Sequence, residues 1–263
     1  MIRQDRLGIS VTYAAMRRVC LSIEANGWIA MSKAMKNVIK RVRFPLDIML
    51  TCVRWYLAYA LSLRNLEEMM LERGISVDHS TIHRWIIKLT PLLENAFRKR
   101  KRKRGKGAVC DSWRIDEMYV KLRGEDRYWY RAVDKQGNTV DFLLTAKRDR
   151  RAARRFFTRA VKNHAVPRVA NIDKSGANKA GIEDFNRESG TDVTIRQCKY
   201  LNNIVEQDHR SVRRRIRPMQ TFKEFRSARI ILGGIEVMHM IRKGQMVGGK
   251  NMTPAQQFYS LAA

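Results

Sequence analysis

Residues 113–145 read WRIDEMYVKLRGEDRYWYRAVDKQGNTVDFLLT. Three runs within it, 113–122, 127–133 and 139–145, are rich in aromatic and β-branched side chains, which suit a pleated, half-buried surface. Gly124 breaks the first gap and DKQGN (134–138) the second, so the runs are expected to pair as consecutive antiparallel strands, with Asp134 a turn former. Downstream the pattern alternates: helix 148–164, strand 168–172, helix 178–187, strand 192–196, helix 202–216. A meander followed by alternating helices and strands predicts an α/β (α+β) unit, a mixed sheet flanked by helices. A last helix over 221–243 is expected to be interrupted or closely packed at Gly233 and Gly234.

Upstream of the strands the sequence is helical. Pro45 suits a first helical turn, and the apolar run after it predicts a buried helix to about residue 62. A second helix over 63–73 stops at Gly74, a residue able to adopt a left-handed cap. Asp78 then caps a third helix to about residue 90, where Ile82, Trp85, Ile86 and Leu89 recur on one inward face. Helix, short glycine turn, helix over 44–97 outlines an all-α helix-turn-helix domain. His79, Ser80, His83, Arg84 and Lys88 form its outward polar face, where they could reach bases or phosphates. His79 and His83 also stand four apart, as zinc ligands do, but no cysteine or acid lies at ligand spacing, so zinc is set aside.

RKRKRKRGK (98–106) follows, eight basic residues in nine, and reads as an exposed basic linker over 98–110. The chain then divides into an unassigned N-terminal extension (1–43), the helix-turn-helix (44–97), the linker, the α/β unit (111–217) and a C-terminal helical region packing on the core (218–263).

Across 263 residues, 53 Lys and Arg face 25 Asp and Glu, a formal net charge of +28. That excess is beyond what solubility needs and points to a polyanionic partner. The cations run through periodic, core-forming segments instead of one amphipathic arm, which favours nucleic acid and excludes a membrane partner. The four cysteines, Cys20, Cys52, Cys110 and Cys198, are scattered without a CxxC pair, which argues against a disulfide framework or zinc ribbon and fits a reducing cytosol. No secretory signal is read in the opening residues.

Phosphoryl transfer by two metal ions needs carboxylates converging from separate elements. Asp116 lies in the first strand, in RIDEMYV. Asp173 follows the fourth strand directly, in VANIDKSGAN, where a ligand belongs in an open α/β sheet. Glu206 lies in the first turns of a helix, in YLNNIVEQDHR. On that helix Val205, His209, Val212 and Ile216 are spaced as a buried stripe, and Glu206, Arg210 and Arg213 as a neighbouring one suited to a phosphate backbone. Asp208 is expected to be solvated and His209 to be packed. Glu117 competes with Asp116: neighbours on a strand face opposite ways, so one of the two serves, and alternation does not choose. With 25 acids in the chain, spacing leaves other triples open.

The segments SWRIDEMYV, YRAVDKQGNTVDFLLTAKRD, IDKSGANKAGI, KYLNNIVEQDHRSVRRRIRPM and GIEVMHMIRKGQ, with CVRWYLAYALSLRNLEEMMLERGISVDHSTIHRW before them, resemble the bacterial insertion-sequence six family of DDE transposases. The resemblance runs in order from about Phe44 to the C-terminus. It implies a ribonuclease-H-like core behind a helix-turn-helix. The implied activity is DNA transposition: binding of terminal inverted repeats, metal-dependent cleavage, and strand transfer into target DNA by a replicative, cointegrate-forming route. It assigns the catalytic and metal-ligand roles to Asp116, Asp173 and Glu206, and the basic residue used on substrate DNA to Arg213. Two Mg2+ ions, with Mn2+ as substitute, a homodimer or higher homo-oligomer on DNA, and a cytoplasmic, nucleoid-associated location in bacteria follow from the same resemblance.

Three features depart from the family. Met118 stands where DET is usual, 32 residues separate Asp173 from Glu206, slightly fewer than is common, and residues 1–34 have no counterpart before Met35. The rival expectation is a helix-turn-helix regulator, or a transposase remnant without strand-transfer activity.

Overall fold

The computed structural model describes residues 43–103, 112–198 and 203–262. The expectations for residues 1–42 and for the linker stretch 104–110 lie outside them. The first helix, α1 (Leu46–Ala58), starts directly after Pro45 and ends four residues sooner than expected. Ser62 explains the early end, because it opens α2 (Leu63–Leu71) through a capping box with Asn65. The chain then turns at Gly74 (φ +71°). Asp78 Oδ1 accepts the Ser80 amide at 2.7 Å, which starts α3 (His79–Lys103).

Helix α3 does not stop at Thr90. It continues through Pro91 to Lys103, so residues 98–103 are helix and not linker. A proline inside a helix costs about 3 kcal/mol. Beyond it, Leu93 and Phe97 are buried to 2% and 0% exposure, and each such burial is worth about 1.5–3 kcal/mol, enough to carry the helix on. The basic run also packs instead of floating. The Arg98 guanidinium lies 4.9 Å from the Phe142 ring centroid and reaches Glu94 (2.8 Å) and the buried Asp141 (3.3 Å). Arg100 binds Ser260, and Lys101 donates to the carbonyl oxygens of Thr139 and Val140.

The sheet has five strands, β1 (Ser112–Leu122), β2 (Glu125–Val133), β3 (Thr139–Thr145), β4 (Val169–Ile172) and β5 (Thr194–Gln197), in the order β3-β2-β1-β4-β5. The first three form the expected antiparallel meander; β4 and β5 run parallel to β1. This is the mixed sheet that the sequence predicted. Helices α4 (Arg150–Asn163) and α5 (Gly176–Ser189) cover one face, packed on Trp113, Ile115 and Tyr130. Met118, Val120 and Trp129 point to the other face, into a second hydrophobic cluster shared with α1, α3 and α7 (Phe225–Arg242). Helix α6 (Asn203–Ile216) packs on β1 and β2 at that same face, and α8 (Pro254–Tyr259) closes the described chain against α7. Asp134 is the expected turn former, accepting the amides of Gln136 and Asn138. Among the described residues no helix is long and apolar enough to cross a membrane.

Helix α7 begins at Phe225 and is not interrupted at its glycine pair; α3 and α1 approach it there. A Cβ on Gly234 would stand 2.6 Å from Thr90 Cγ2 and 2.7 Å from Leu57 Cδ1, inside any real contact distance. Gly234→Ala should therefore lower stability by about 1–3 kcal/mol despite alanine's better helix propensity. Gly176→Ala, at a helix start with nothing within 4 Å, should not. Thermal or urea unfolding measures both; a Gly234→Ala midpoint at or above wild type would refute the close crossing.

Candidate active site

Strand β1 is covered on both faces, so its alternation decides where each acid points. Asp116 lies on the face that receives α6, and Glu117 on the face of α4 and α5. The parallel register with β4 pairs Arg114 with Asn171; carried two residues on, it sets Asp173 beside Asp116. Asp173 Oδ1 accepts the Ser175 amide at 3.0 Å, and Ser175 caps α5, so this acid is fixed at the strand-to-helix turn. Glu206 enters from the first turn of α6.

Asp116 is partly buried. Its side chain is 18% exposed, and burial, then the charges of Glu117, Asp173 and Glu206, push its carboxyl up to about 7. His209, one turn beyond Glu206, places Nδ1 3.5 Å from Asp116 Oδ2. Burial, then the Arg131 and Arg213 cations, drives this imidazole down to about 3, so it is neutral at physiological pH. It packs, as the apolar stripe predicted.

Glu117 has a different setting. Asn178 of α5 donates to Oε2 at 2.9 Å, and Arg148 pairs with Oε1 while its Nη2 reaches Asp173 Oδ2 at 3.2 Å. Burial raises the Glu117 carboxyl, and Asn178 and Arg148 pull against that rise. Glu117 is thus held by the protein itself, whereas Asp116 faces two further acids and a neutral ring.

The oxygens of Asp116, Asp173 and Glu206 do not all close to within 4.8 Å of one another; among the described residues the trio that does is Glu67, Asp78 and His79. His79 Nδ1 lies 3.0 Å from Glu67 Oε2 and 3.4 Å from Asp78 Oδ2. The fold thus supplies the acidic partners that spacing did not reveal, and His83 is not among them. Of the other α3 candidates, Ser80, Arg84 and Lys88 are exposed four residues apart along one line, while His83 is half-buried and lowered by burial. Arg210 and Arg213 are exposed on α6, with Arg214 and Arg217 beside them.

Asp208 corrects the sequence reading: it is buried and not solvated. Burial alone would raise its carboxyl, yet His239, Arg131 and Lys243 hold it below the usual carboxylate range. The signal was present, since Asp208 lies three residues after Val205 and four before Val212, on the buried stripe. Arg131 and Glu236, both fully buried, were missed as well. Glu236 could have been found as a lone acid in the apolar run IILGGIEVMHMI.

A protein-family model described as a DDE domain matches residues 110–245. The transposase for insertion sequence-like element IS431mec of Staphylococcus aureus is 33% identical over 211 residues, 79% of this chain and 89% of that protein. The transposase for insertion sequence element IS257 in transposon Tn4003, also from Staphylococcus aureus, matches with the same identity and coverage. Among solved structures, the HTLV-2 integrase catalytic core domain aligns over 60% of this chain and 99% of that one, with a TM-score of 0.40 and 11% identity. The BIV integrase catalytic core domain covers 57% and 94%, with a TM-score of 0.40 and 15% identity. With its α/β unit matched by the family model and nearly nine-tenths of each curated transposase spanned, the chain belongs to the insertion-sequence six family of DDE transposases, DNA-acting polynucleotidyl transferases.

Proposed function

We propose that this transposase cuts and joins DNA at Asp116, Asp173 and Glu206, and that Ser80, Arg84 and Lys88 of α3 engage the terminal inverted repeats. The observation that carries the site is the partly buried Asp116, facing α6 and lifted to about 7 with Asp173 and Glu206 as charged neighbours. Three hard oxygen donors around an acid that burial discourages from ionising suit divalent cations such as Mg2+ or Mn2+. Such ions, bound as a pair, would lower the charge on a phosphodiester and on the attacking oxygen.

The chain's own residues supply the rest. Asp116, Asp173 and Glu206 hold the site from three separate elements. Arg148 and the Ser175 amide fix the Asp173 carboxylate, and His209 packs behind Asp116. Arg210 and Arg213, on the same side of α6 as Glu206, bind phosphates so that a DNA strand lies across the acids. In the first reaction water displaces the 3′-oxygen at an element end. In the second that 3′-hydroxyl attacks a target phosphodiester in line and a target 3′-oxygen leaves. We read the route as replicative and cointegrate-forming, by a homodimer or higher homo-oligomer on nucleoid DNA in the bacterial cytoplasm.

Alanine at Asp116, Asp173 or Glu206 should each lower strand transfer by more than ~10³-fold, with repeat binding unchanged. A variant that still joins ends at wild-type rate removes its residue from the site. Protein that binds ends yet never cuts them with Mg2+ or Mn2+ would favour a regulator or an inactive remnant.

Asp116 also makes stability depend on pH. Its carboxyl rises from an ordinary 3.8 to about 7, so folding favours the protonated form. That contribution is fully present below 3.8 and is lost as pH climbs through about 7. In chelator, Asp116→Asn should melt close to wild type at pH 4 and several degrees above it at pH 8. A difference that does not change with pH would contradict the burial of this charge.

Arg84→Ala and Lys88→Ala should each weaken repeat binding and reduce the salt slope by about 1. His79→Ala, already tied to Glu67 and Asp78, should change it little. Wild-type binding and salt slope in both Arg84→Ala and Lys88→Ala would move the DNA off this face.

A further inference from the structure

Helix α6 brings Glu206 to the site, yet little apolar surface holds it there. Its buried residues are Val205, Asp208, His209, Val212 and Arg215, two valines against three polar side chains. Polar contacts must therefore decide how the helix is seated. Asp208 is placed two residues after Glu206, roughly 200° around the axis, facing inward. Arg131 Nη2 donates to Asp208 Oδ2 at 3.1 Å, Lys243 pairs with the same oxygen, and His239 Nε2 lies 3.1 Å from Oδ1.

Arg131 is the centre of this cluster and is fully buried. The same Nη2 donates to Glu236 Oε2 of α7 at 3.1 Å, and Nε lies 2.7 Å from Oε1. Trp129 Nε1 donates to Glu236 Oε1 at 3.3 Å, and Lys243 reaches the Gly137 carbonyl in the β2–β3 turn at 2.5 Å. Two carboxylates, a guanidinium and an ammonium thus close on one another across β2, α6, α7 and that turn. On β2, Arg131 is directly opposite Asp116, with its side chain on the same face of the sheet.

We infer that Arg131 and Asp208 are positioning residues of the active site, fixing the rotation and height of α6 so that Glu206 meets Asp116. The physical reason is the different tolerance of the two kinds of contact. Two valines and the partly buried Ile216 permit a helix to slide or roll, whereas a forked guanidinium between two buried carboxylates does not. Buried ion clusters are weak stabilisers beside apolar packing, and their best-attested use is to fix register. A slip of one residue would turn Glu206 by about 100° and move it about 1.5 Å. Metal–ligand distances tolerate roughly ±0.2 Å. Arg131 is the direct link, because one side chain ties the strand position opposite Asp116 to the helix that carries Glu206.

This inference rests on the assignment of Asp116 and Glu206 as metal ligands, and the experiment separates the two. Mn2+ binding to the purified full-length chain is titrated by electron paramagnetic resonance, and Mg2+-dependent strand transfer is assayed in parallel. Circular dichroism and gel filtration select folded protein. Asp208→Asn keeps the shape and one acceptor but loses the charge; Arg131→Lys keeps the charge but loses the fork. Both should weaken Mn2+ binding and strand transfer by 10–100-fold, the range typical of groups that orient metal ligands, with repeat binding unchanged. Lys243→Met, which leaves the Arg131–Asp208 contact in place, should be milder. Should Asp208→Asn yield no folded chain, Arg131→Lys carries the same readout. Folded variants with lower melting points but wild-type Mn2+ affinity would overturn the inference, since they would show a purely structural role. If Asp116→Ala itself binds Mn2+ like wild type, the assignment of the site fails and the inference falls with it, a result distinct from wild-type affinity in the Arg131 and Asp208 variants alone.

Discussion

Because β1 lies inside the sheet with helices on both faces, two adjacent acids on it meet different surroundings, and the chemistry depends on that difference. Glu117 points towards α4 and α5, where Asn178 and Arg148 meet it. Asp116 points towards α6, where it meets Asp173, Glu206 and a neutral imidazole. Burial raises both carboxyls, but the partners differ: Asn178 and Arg148 oppose the rise at Glu117, while Asp173 and Glu206 add to it at Asp116. Here one acid is neutralised within the protein, and the other is kept in a state that added positive charge would relieve. Arg148 joins the two settings, reaching Glu117 with one nitrogen and Asp173 with another.

The same face of the sheet also receives the N-terminal helices. Helix α3 is 25 residues long, about 37 Å of continuous rod. Its first half carries the exposed line of Ser80, Arg84 and Lys88, and its second half is docked on β3 through Arg98 and Lys101. Asp141, buried on β3, takes Arg98, Arg159 of α4 and Asn163 together, so one acid ties α3 and α4 to the sheet edge. The exposed line of α3 proposed to bind DNA and the helix that carries Glu206 thus pack on one hydrophobic cluster.

Much of the architecture was legible in the sequence, because the strands obey local rules. The first hairpin turns at Arg123 and Gly124, with φ of +52° and +84°, and the glycine marked that gap. The three acids could be proposed as candidates because a strand, a strand end and a helix start are recognisable positions. Long-range pairing was not legible. Pro91 and the basic run are both local signals for ending a helix, and only the burial of Leu93 and Phe97, with Asp141 as partner, overrides them. The spacing of Asp208 from Val205 and Val212 put it on the buried stripe, but not its partners: Arg131, His239 and Lys243 are 77, 31 and 35 residues away in sequence. No local spacing pairs an aspartate with an arginine on a strand that far upstream.

The net charge of +28 is divided in a way that matters for the reaction. Some of its cations are used inside the fold: Arg131 on Asp208 and Glu236, Arg98 and Arg159 on Asp141. On α4, Arg150 and Arg154 pair with Asp184 and Glu188 of α5. Exposed arginines then remain on α6, which carries Glu206, at Arg210, Arg213 and Arg214, and on α4 across the sheet at Arg151 and Arg155. Three carboxylates alone would repel a phosphodiester. The cations that α6 carries beside Glu206 would offset that repulsion along a DNA segment, because a duplex carries one negative charge per about 1.7 Å of its axis. The proposed metal ions would add to the charge that Arg148 already brings to Asp173, and would relieve the raised Asp116 carboxyl.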